Sequence, residues 1–270
     1  RSLSYNTIGS ANSAFGKEAL TNSTTSMRNT AIGYYAMRAV TTGSNNTAIG
    51  KDALMTNQTG NNNTALGYRS LEVNTANNNT AVGYKSLLAN TSAAAVTGVG
   101  YQALAANTTG AENTAVGSSA LGANITGGQN TAMGAYALVA NTTGSDNVAI
   151  GKNVLSTNTS GGSNVAVGNY SLNLNATGGN NTAIGFYALG KNTASDGTAV
   201  GISALKENTT GAQNTAVGAN ALEKNTTGNA NTASGYNALN FNQTGHNNAA
   251  TGYRALKNNT TGNANTAVGS

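Results

Sequence analysis

The residue types that could do chemistry in this chain are few, and their spacing argues against a reaction centre. The sole histidine, His246, stands in a variable stretch beside Asn247, with no serine or carboxylate recurring in register with it. It reads as an exposed loop residue. The carboxylates Glu18, Asp52, Glu112, Asp146, Asp196 and Glu223 scatter over positions that vary along the chain, so no acid and base pair for proton transfer is laid out. They read as solubility charges, and catalysis is not expected. Glycine-rich turns such as Gly161-Gly162 lack the Asp of a calcium roll and the lysine and helix of a phosphate loop, so neither metal nor cofactor is expected. With no cysteine, thiolate metal sites and disulfides are excluded.

Two residue types recur in a way that invites a binding role. A tyrosine column (Tyr34, Tyr68, Tyr84, Tyr101, Tyr236, Tyr253) alternates with Lys and Ser and offers lateral contact to a surface glycan, although packing between neighbours explains it as readily. Asn-x-Thr triplets such as Asn107-Thr108-Thr109 and Asn141-Thr142-Thr143 are glycosylation acceptors only in a eukaryotic secretory route, and Asn and Thr suit turns in any case. The formal charge of +5 is dispersed without a run of like charges, so nucleic acid is not implied. No apolar stretch approaches the ~20 residues of a membrane helix, so membrane insertion within this segment is not expected.

These residues are set by a repeat. The phrase Asn-Thr-Ala-Val-Gly, with variations, ends at Gly16, Gly33, Gly50, Gly67 and so on to Gly269, at a spacing of seventeen residues with two intervals of sixteen. A short fixed period means one small unit copied end to end, each burying its apolar face against its neighbours. Residues 1–11 are an incomplete lead-in segment, and 12–270 form one continuous array without an internal boundary. The chain opens on Arg1 without a Met and closes one residue past Gly269, which reads as a piece of something longer.

Aligned on that glycine, the repeats become columns. Asn stands four residues before it in fourteen of sixteen repeats, failing at Val96 and Gly197. A β-branched column, an alanine column and an aliphatic column follow, and this five-residue run reads as a strand. An aliphatic residue stands four past the glycine throughout, from Leu20 and Met37 to Leu256, and a second Asn column seven past it, from Asn57 to Asn259. Thr-Gly follows as a turn signal. Both sixteen-residue repeats lose their residue in this turn, between Asn74 and Asn79 and between Asn192 and Gly197, so a loop absorbs the change while the strand columns keep register.

Seventeen residues cannot hold the helix pair of an α-solenoid, and a hairpin meander lacks its signal, since none of the 45 Asn precedes a Gly. The expected fold is therefore all-β, a parallel β-solenoid or β-roll with one 17-residue coil per repeat, and fifteen coils at the usual interstrand spacing would span roughly 70 Å. The Asn columns are expected to form amide ladders, Asn46, Asn63, Asn113, Asn130, Asn181 and Asn214 in the first and Asn107, Asn141 and Asn225 in the second. Ala48, Gly50, Leu54, Ala115, Gly117, Leu121, Ala216, Gly218 and Leu222 are the expected core columns. Ala and Gly should face one way from the strand and the Thr and Val-like columns the other. An apolar stripe exposed along such an array exceeds what soluble monomers show, so identical chains around a common axis are expected to cover it.

The phrase resembles the Asn-Ser-Val-Ala-Ile-Gly repeat of the YadA-type head in trimeric autotransporter adhesins, and is similar to repeats in the shafts of bacteriophage tail fibres. The likeness runs from Asn12 to Gly269 and includes Asn, small, aliphatic and Gly in order. Here the period is longer, and an Ala-Leu pair follows the glycine. The resemblance implies a left-handed β-roll, three chains side by side, and an extracellular place on a bacterial cell surface or a virion. The expected function is a structural shaft of a homotrimeric fibre that displays or spaces a binding tip. Two alternatives follow from the columns: an ice-binding solenoid, from the aligned Thr, and an adhesin binding glycans along the rod.

Overall fold

A computed structural model describes residues 2–270. The protein is all-β, a parallel β-solenoid in which each repeat makes one coil with a single three-residue strand. It forms two compact units, one ending at Asn130 and the other spanning Thr131–Ser270. The first contains β1 (Ser13–Phe15), β2 (Thr30–Ile32), β3 (Thr47–Ile49), β4 (Thr64–Leu66), β5 (Thr80–Val82), β6 (Thr97–Val99) and β7 (Thr114–Val116). The second contains β8 (Thr131–Met133), β9 (Val148–Ile150), β10 (Val165–Val167), β11 (Thr182–Ile184), β12 (Thr198–Val200), β13 (Thr215–Val217), β14 (Thr232–Ser234), β15 (Ala249–Thr251) and β16 (Thr266–Val268). Within each unit the strands pair in sequence order, parallel and in register, as in Thr47↔Thr64, Ala48↔Ala65 and Ile49↔Leu66. The stretch from Gly33 to Val40, whose composition would allow a short helix, is a series of tight bends instead.

The strands are shorter than the five residues read from the sequence, because both ends of the phrase do something else. The Asn directly precedes the strand and buries its side chain, and the Gly turns the corner. Gly50, Gly117 and Gly218 adopt φ of 137°, 138° and 131°, and all three are half-exposed. They form an outer edge of the coil and not, as alternation along the strand predicts, part of a packed wall with the alanines. The wall itself comes from two alanine-rich columns and the leucines: Ala48, Leu54, Ala115, Leu121, Ala216 and Leu222 are fully buried. The core therefore closes within one chain, and each buried Leu contributes about 1.5–3 kcal/mol.

Hydrogen bonding between coils continues beyond the strands. In the first unit Thr47 N–H donates to Asn63 C=O at 2.8 Å, Gly50 N–H to Ile32 C=O at 2.8 Å and Leu54 N–H to Ser70 C=O at 3.0 Å. The second repeats this, with Gly218 N–H on Val200 C=O at 2.8 Å and Leu205 N–H on Ala221 C=O at 3.0 Å. Gly50 and Asp52 both send their N–H groups to the preceding coil, Asp52 to Tyr34 C=O at 2.9 Å, whereas Leu54, two residues further on, sends its N–H to the following one.

That reversal is made by left-handed backbone. Besides the glycine, three columns per coil take φ near +55°: the residue two past the glycine (Asp52, 58°), the core aliphatic (Leu54, 52°) and the residue before the first Asn (Asn45, 59°). An L-residue there is about 1–2 kcal/mol worse off than in a right-handed conformation. At the leucine column, burial outweighs that cost. At the column before Asn, which is exposed, seven of sixteen residues are Asn or Asp, the non-glycine types that tolerate this region best. Where alanine occupies it, as at Ala230 (φ 54°, exposed), nothing offsets the strain. Ala230→Gly is therefore expected to raise stability by about 0.5–1 kcal/mol, the reverse of the usual sign, read as a higher urea midpoint at unchanged slope.

One irregular pair shows how tightly the wall is packed. Gly98 replaces the strand alanine, and opposite it Ser86 stands in the second small-residue column, its hydroxyl donating to Gly98 C=O at 2.8 Å. A β-carbon on Gly98 would lie 2.7 Å from that hydroxyl oxygen. The atom lost from one wall is the atom gained by the other.

Candidate functional site

The recurring polar side chains face inward and are used there. In the first Asn column, Asn63 donates from Nδ2 to Asn46 Oδ1 at 3.1 Å and to Ala76 C=O at 2.9 Å, while its own backbone N–H reaches Asn46 Oδ1 at 2.9 Å. Asn130 contacts Asn113 in the same two ways, at 2.9 and 3.1 Å. In the second unit Asn181 donates to Asn164 Oδ1 at 3.1 Å and Asn231 to Asn214 Oδ1 at 3.1 Å. The second column stacks likewise: Asn107 Nδ2 donates to Asn90 Oδ1 at 3.1 Å, Asn158 to Asn141 Oδ1 at 2.8 Å and Asn225 to Asn208 Oδ1 at 2.7 Å. Each of these second-column amides also holds the carbonyl three residues on, as Asn107 holds Gly110 at 3.0 Å. Every Asn named here is at most 1% exposed, so none is open to a ligand.

The sequence identifies these columns but not their backbone partners, because an Asn column carries no mark of which amide hydrogen points at which carbonyl. Where the first column lacks Asn, the backbone contact survives: Val96 N–H reaches Asn79 Oδ1 at 3.0 Å and Gly197 N–H reaches Asn181 Oδ1 at 2.9 Å. The two short coils interrupt the second column instead. Asn192 turns to Ala194 C=O at 2.7 Å and Asn181 Oδ1 at 3.4 Å, which leaves Asn175 Oδ1 buried without a partner. Stacking resumes one coil later, with Asn208 on Asn192 at 2.6 Å.

His246 belongs to a third, exposed ladder on the turn. Its Nδ1 accepts the Asn229 N–H at 3.0 Å, and its own N–H donates to Asn263 Oδ1 at 2.7 Å. It thus does what Ser44 and Asn61 do elsewhere in that column.

The carboxylates lie mostly on corners. Glu18, Asp52, Glu112, Asp146 and Asp196, five of the eight acidic residues, occupy left-handed positions. Glu18 pairs with Arg38 at 3.1 Å, Glu223 with Lys224 at 3.2 Å and Glu207 with Lys191 at 2.6 Å. The hydrogen bond from Lys191 holds the Glu207 carboxyl below the usual carboxylate range. No group of three or more His, Asp or Glu gathers among the described residues in a way that would hold a metal ion. No helix among them is long and apolar enough to cross a membrane. A hollow at the first coil is lined by Ser4, Tyr5, Glu18, Thr21, Asn22 and Arg38, and within it Glu18 is held by its ion pair with Arg38.

What faces outward is apolar and follows the glycine corner. On the strand side stand Ile32 and Ile49, 40% and 41% exposed, and on the other side Tyr84 and Tyr101, 41% and 53% exposed. In the second unit Ile184, Val217, Tyr236 and Tyr253 occupy the same places and are exposed. The tyrosines stack on one another: Tyr68 on Tyr84 and Tyr84 on Tyr101, both with centroids 5.4 Å apart, and Tyr236 on Tyr253 at 5.5 Å. Lys51 lies 5.7 Å from the rings of Tyr34 and Tyr68. Beside Tyr34, the hydrogen bond between the two phenols, then burial, pushes the Tyr35 hydroxyl above its ordinary range. Stacked this way, neighbouring rings cover one another's faces, the surfaces on which a sugar would lie.

Compared with known proteins, the chain matches no protein-family model, no curated protein and no solved structure. Its function must be argued from the coil itself.

Proposed function

We propose that this chain is a structural segment of an extracellular fibre, in which three identical chains run side by side and hold a binding tip away from a bacterial surface or virion. The observation that supports the reading is how the coil uses its residues. The Asn columns, the alanines and the leucines are consumed in holding one coil to the next, and what is left over is an apolar ridge flanking the glycine corner. Ile32, Ile49, Tyr84 and Tyr101 stand there at 40–53% exposure. A ridge of this kind, repeated coil after coil, is of the sort that identical chains cover for one another.

The location and the count of three follow from the likeness of the repeat to adhesin heads and tail-fibre shafts. Native mass measurement tests the assembly. The 26.7 kDa chain is expected to run as a trimer, and the double variant Ile49→Lys with Tyr84→Lys is expected to dissociate it. A chain that stays monomeric at high concentration removes the assembly from the proposal.

A further inference from the structure

The strand face carries a second ordered array, and its chemistry does not depend on the fibre reading. Threonine occurs in three columns, one on the strand and two adjacent ones on the turn, and the second turn column (Thr42, Thr59, Thr109) is exposed on the turn, away from the strand face. In the first turn column the hydroxyl is used: Thr41 donates to Gln58 C=O at 3.2 Å, Thr91 to Thr108 C=O at 3.0 Å and Thr108 to Ile125 C=O at 3.0 Å. In the strand column of the first unit, Thr30, Thr47, Thr64, Thr80, Thr97 and Thr114 are half-buried, and none of their hydroxyls has a partner among the described residues. Six hydroxyls in successive coils are thus left to water.

Their arrangement is regular in two directions. The parallel register puts Thr directly over Thr, as in Thr64↔Thr80 and Thr80↔Thr97, with about 4.8 Å between coils. Two residues along each strand, roughly 6.6 Å away on the same face, runs the aliphatic column of Ile32, Ile49, Leu66, Val82, Val99 and Val116. Neither column contains a charged residue across β2 to β7. Nearly all of these side chains are β-branched and stiff at χ1, so their hydroxyls and methyl groups hold position at little further entropic cost. Water meeting such a surface is offered hydrogen-bonding points at a fixed repeat, separated by rows of methyl groups that give it no competing partner. Crystalline water is the ligand that can satisfy a rigid, uncharged, two-dimensional array of this kind.

We infer that the outward face of β2 to β7 binds ice, through the strand threonines with the aliphatic column as their flat border. The aliphatic border is also the strand side of the corner ridge, Ile32 and Ile49 included, so ice and neighbouring chains compete for it, and a chain whose ridge is covered presents the threonine column alone.

Thermal hysteresis of the whole chain tests this. The expected result is a gap between melting and freezing that grows with protein concentration, together with faceted ice crystals. Thr80→Lys, in the middle of the array, is expected to remove most of the gap at an unchanged melting temperature of the protein. Ser92→Lys, on the exposed turn, is expected to keep it. Should Thr80→Lys fail to fold, Thr64→Lys asks the same question one coil away. Hysteresis no greater than that of an inert protein of equal mass overturns the inference, and so does a fully active, folded Thr80→Lys or Thr64→Lys. The native mass of the same sample separates the two readings: hysteresis in a monomeric sample supports ice binding and removes the trimer, and a trimer without hysteresis supports the fibre and overturns ice binding.

Discussion

Gly50→Ala is expected to destabilise the protein by about 3 kcal/mol or more, a large loss for one added methyl group. Two terms act together. At φ 137° an alanine sits in a region L-residues rarely adopt, which costs about 1–3 kcal/mol. Its β-carbon would also lie 2.5 Å from the Gly67 carbonyl oxygen and 2.7 Å from the Gly67 carbonyl carbon, backbone atoms that cannot rotate aside. Overpacking of this kind typically adds about 1–3 kcal/mol. Because a solenoid coil contacts only its neighbours, the damage should be local. Hydrogen exchange is the measurement of choice: amides between Thr47 and Leu71 should lose protection first. Unchanged protection there, with an unchanged urea midpoint, would show that the corner is not under the constraint described.

The second large effect is expected from Asn107→Asp, which exchanges one NH2 for one oxygen. Asn107 Nδ2 donates to Asn90 Oδ1 at 3.1 Å and to Gly110 C=O at 3.0 Å, and its Oδ1 accepts from Asn124 at 2.7 Å. An ionised Asp would keep the accepted bond and face two acceptors with nothing to give them. A buried charge left without a partner costs about 3–5 kcal/mol. The folded state would therefore raise the pKa of the introduced carboxyl above its unfolded value of about 3.9, so the folded form binds the proton more tightly. The destabilisation is full above the raised folded pKa. It recedes as pH falls from that value towards about 4, because the protonated acid can donate one hydrogen bond. Urea midpoints of both proteins against pH check this, with Asn45→Asp at an exposed corner as the control that should change little. A pH-independent loss in Asn107→Asp would defeat the argument.

The solenoid was legible because its signals are columnar. Repetition of Asn at one phase and Leu at another announces stacking, and β-branched residues at a third announce the strand. The corners were not legible. Leucine is no signal for left-handed backbone, yet Leu54 and its equivalents adopt it because burial of the side chain outweighs the local preference. Alternation alone makes the glycine the last residue of the strand; only its dihedral angle makes it an edge. The same ambiguity hid the core. Alternation says which columns share a face, and the burial of Leu54 between the walls of one chain depends on how the corners fold the coil back on itself. For the threonines, the sequence shows three aligned columns without telling them apart. It is the reach of one turn hydroxyl to the next coil's carbonyl that uses one column and leaves the others free.

The pairing of Ser86 with Gly98 joins residues twelve apart in one coil, so it travels with that coil and carries no mark of which neighbour the coil has. A strand from one repeat pairs about as well with the wrong neighbour as with the right one, so slipping by a whole repeat loses little energy in the strand itself. What opposes the slip is connectivity. A coil that skips its neighbour must loop out seventeen residues together with the leucine they would have buried, so the array keeps count by growing one coil at a time from any coil already formed.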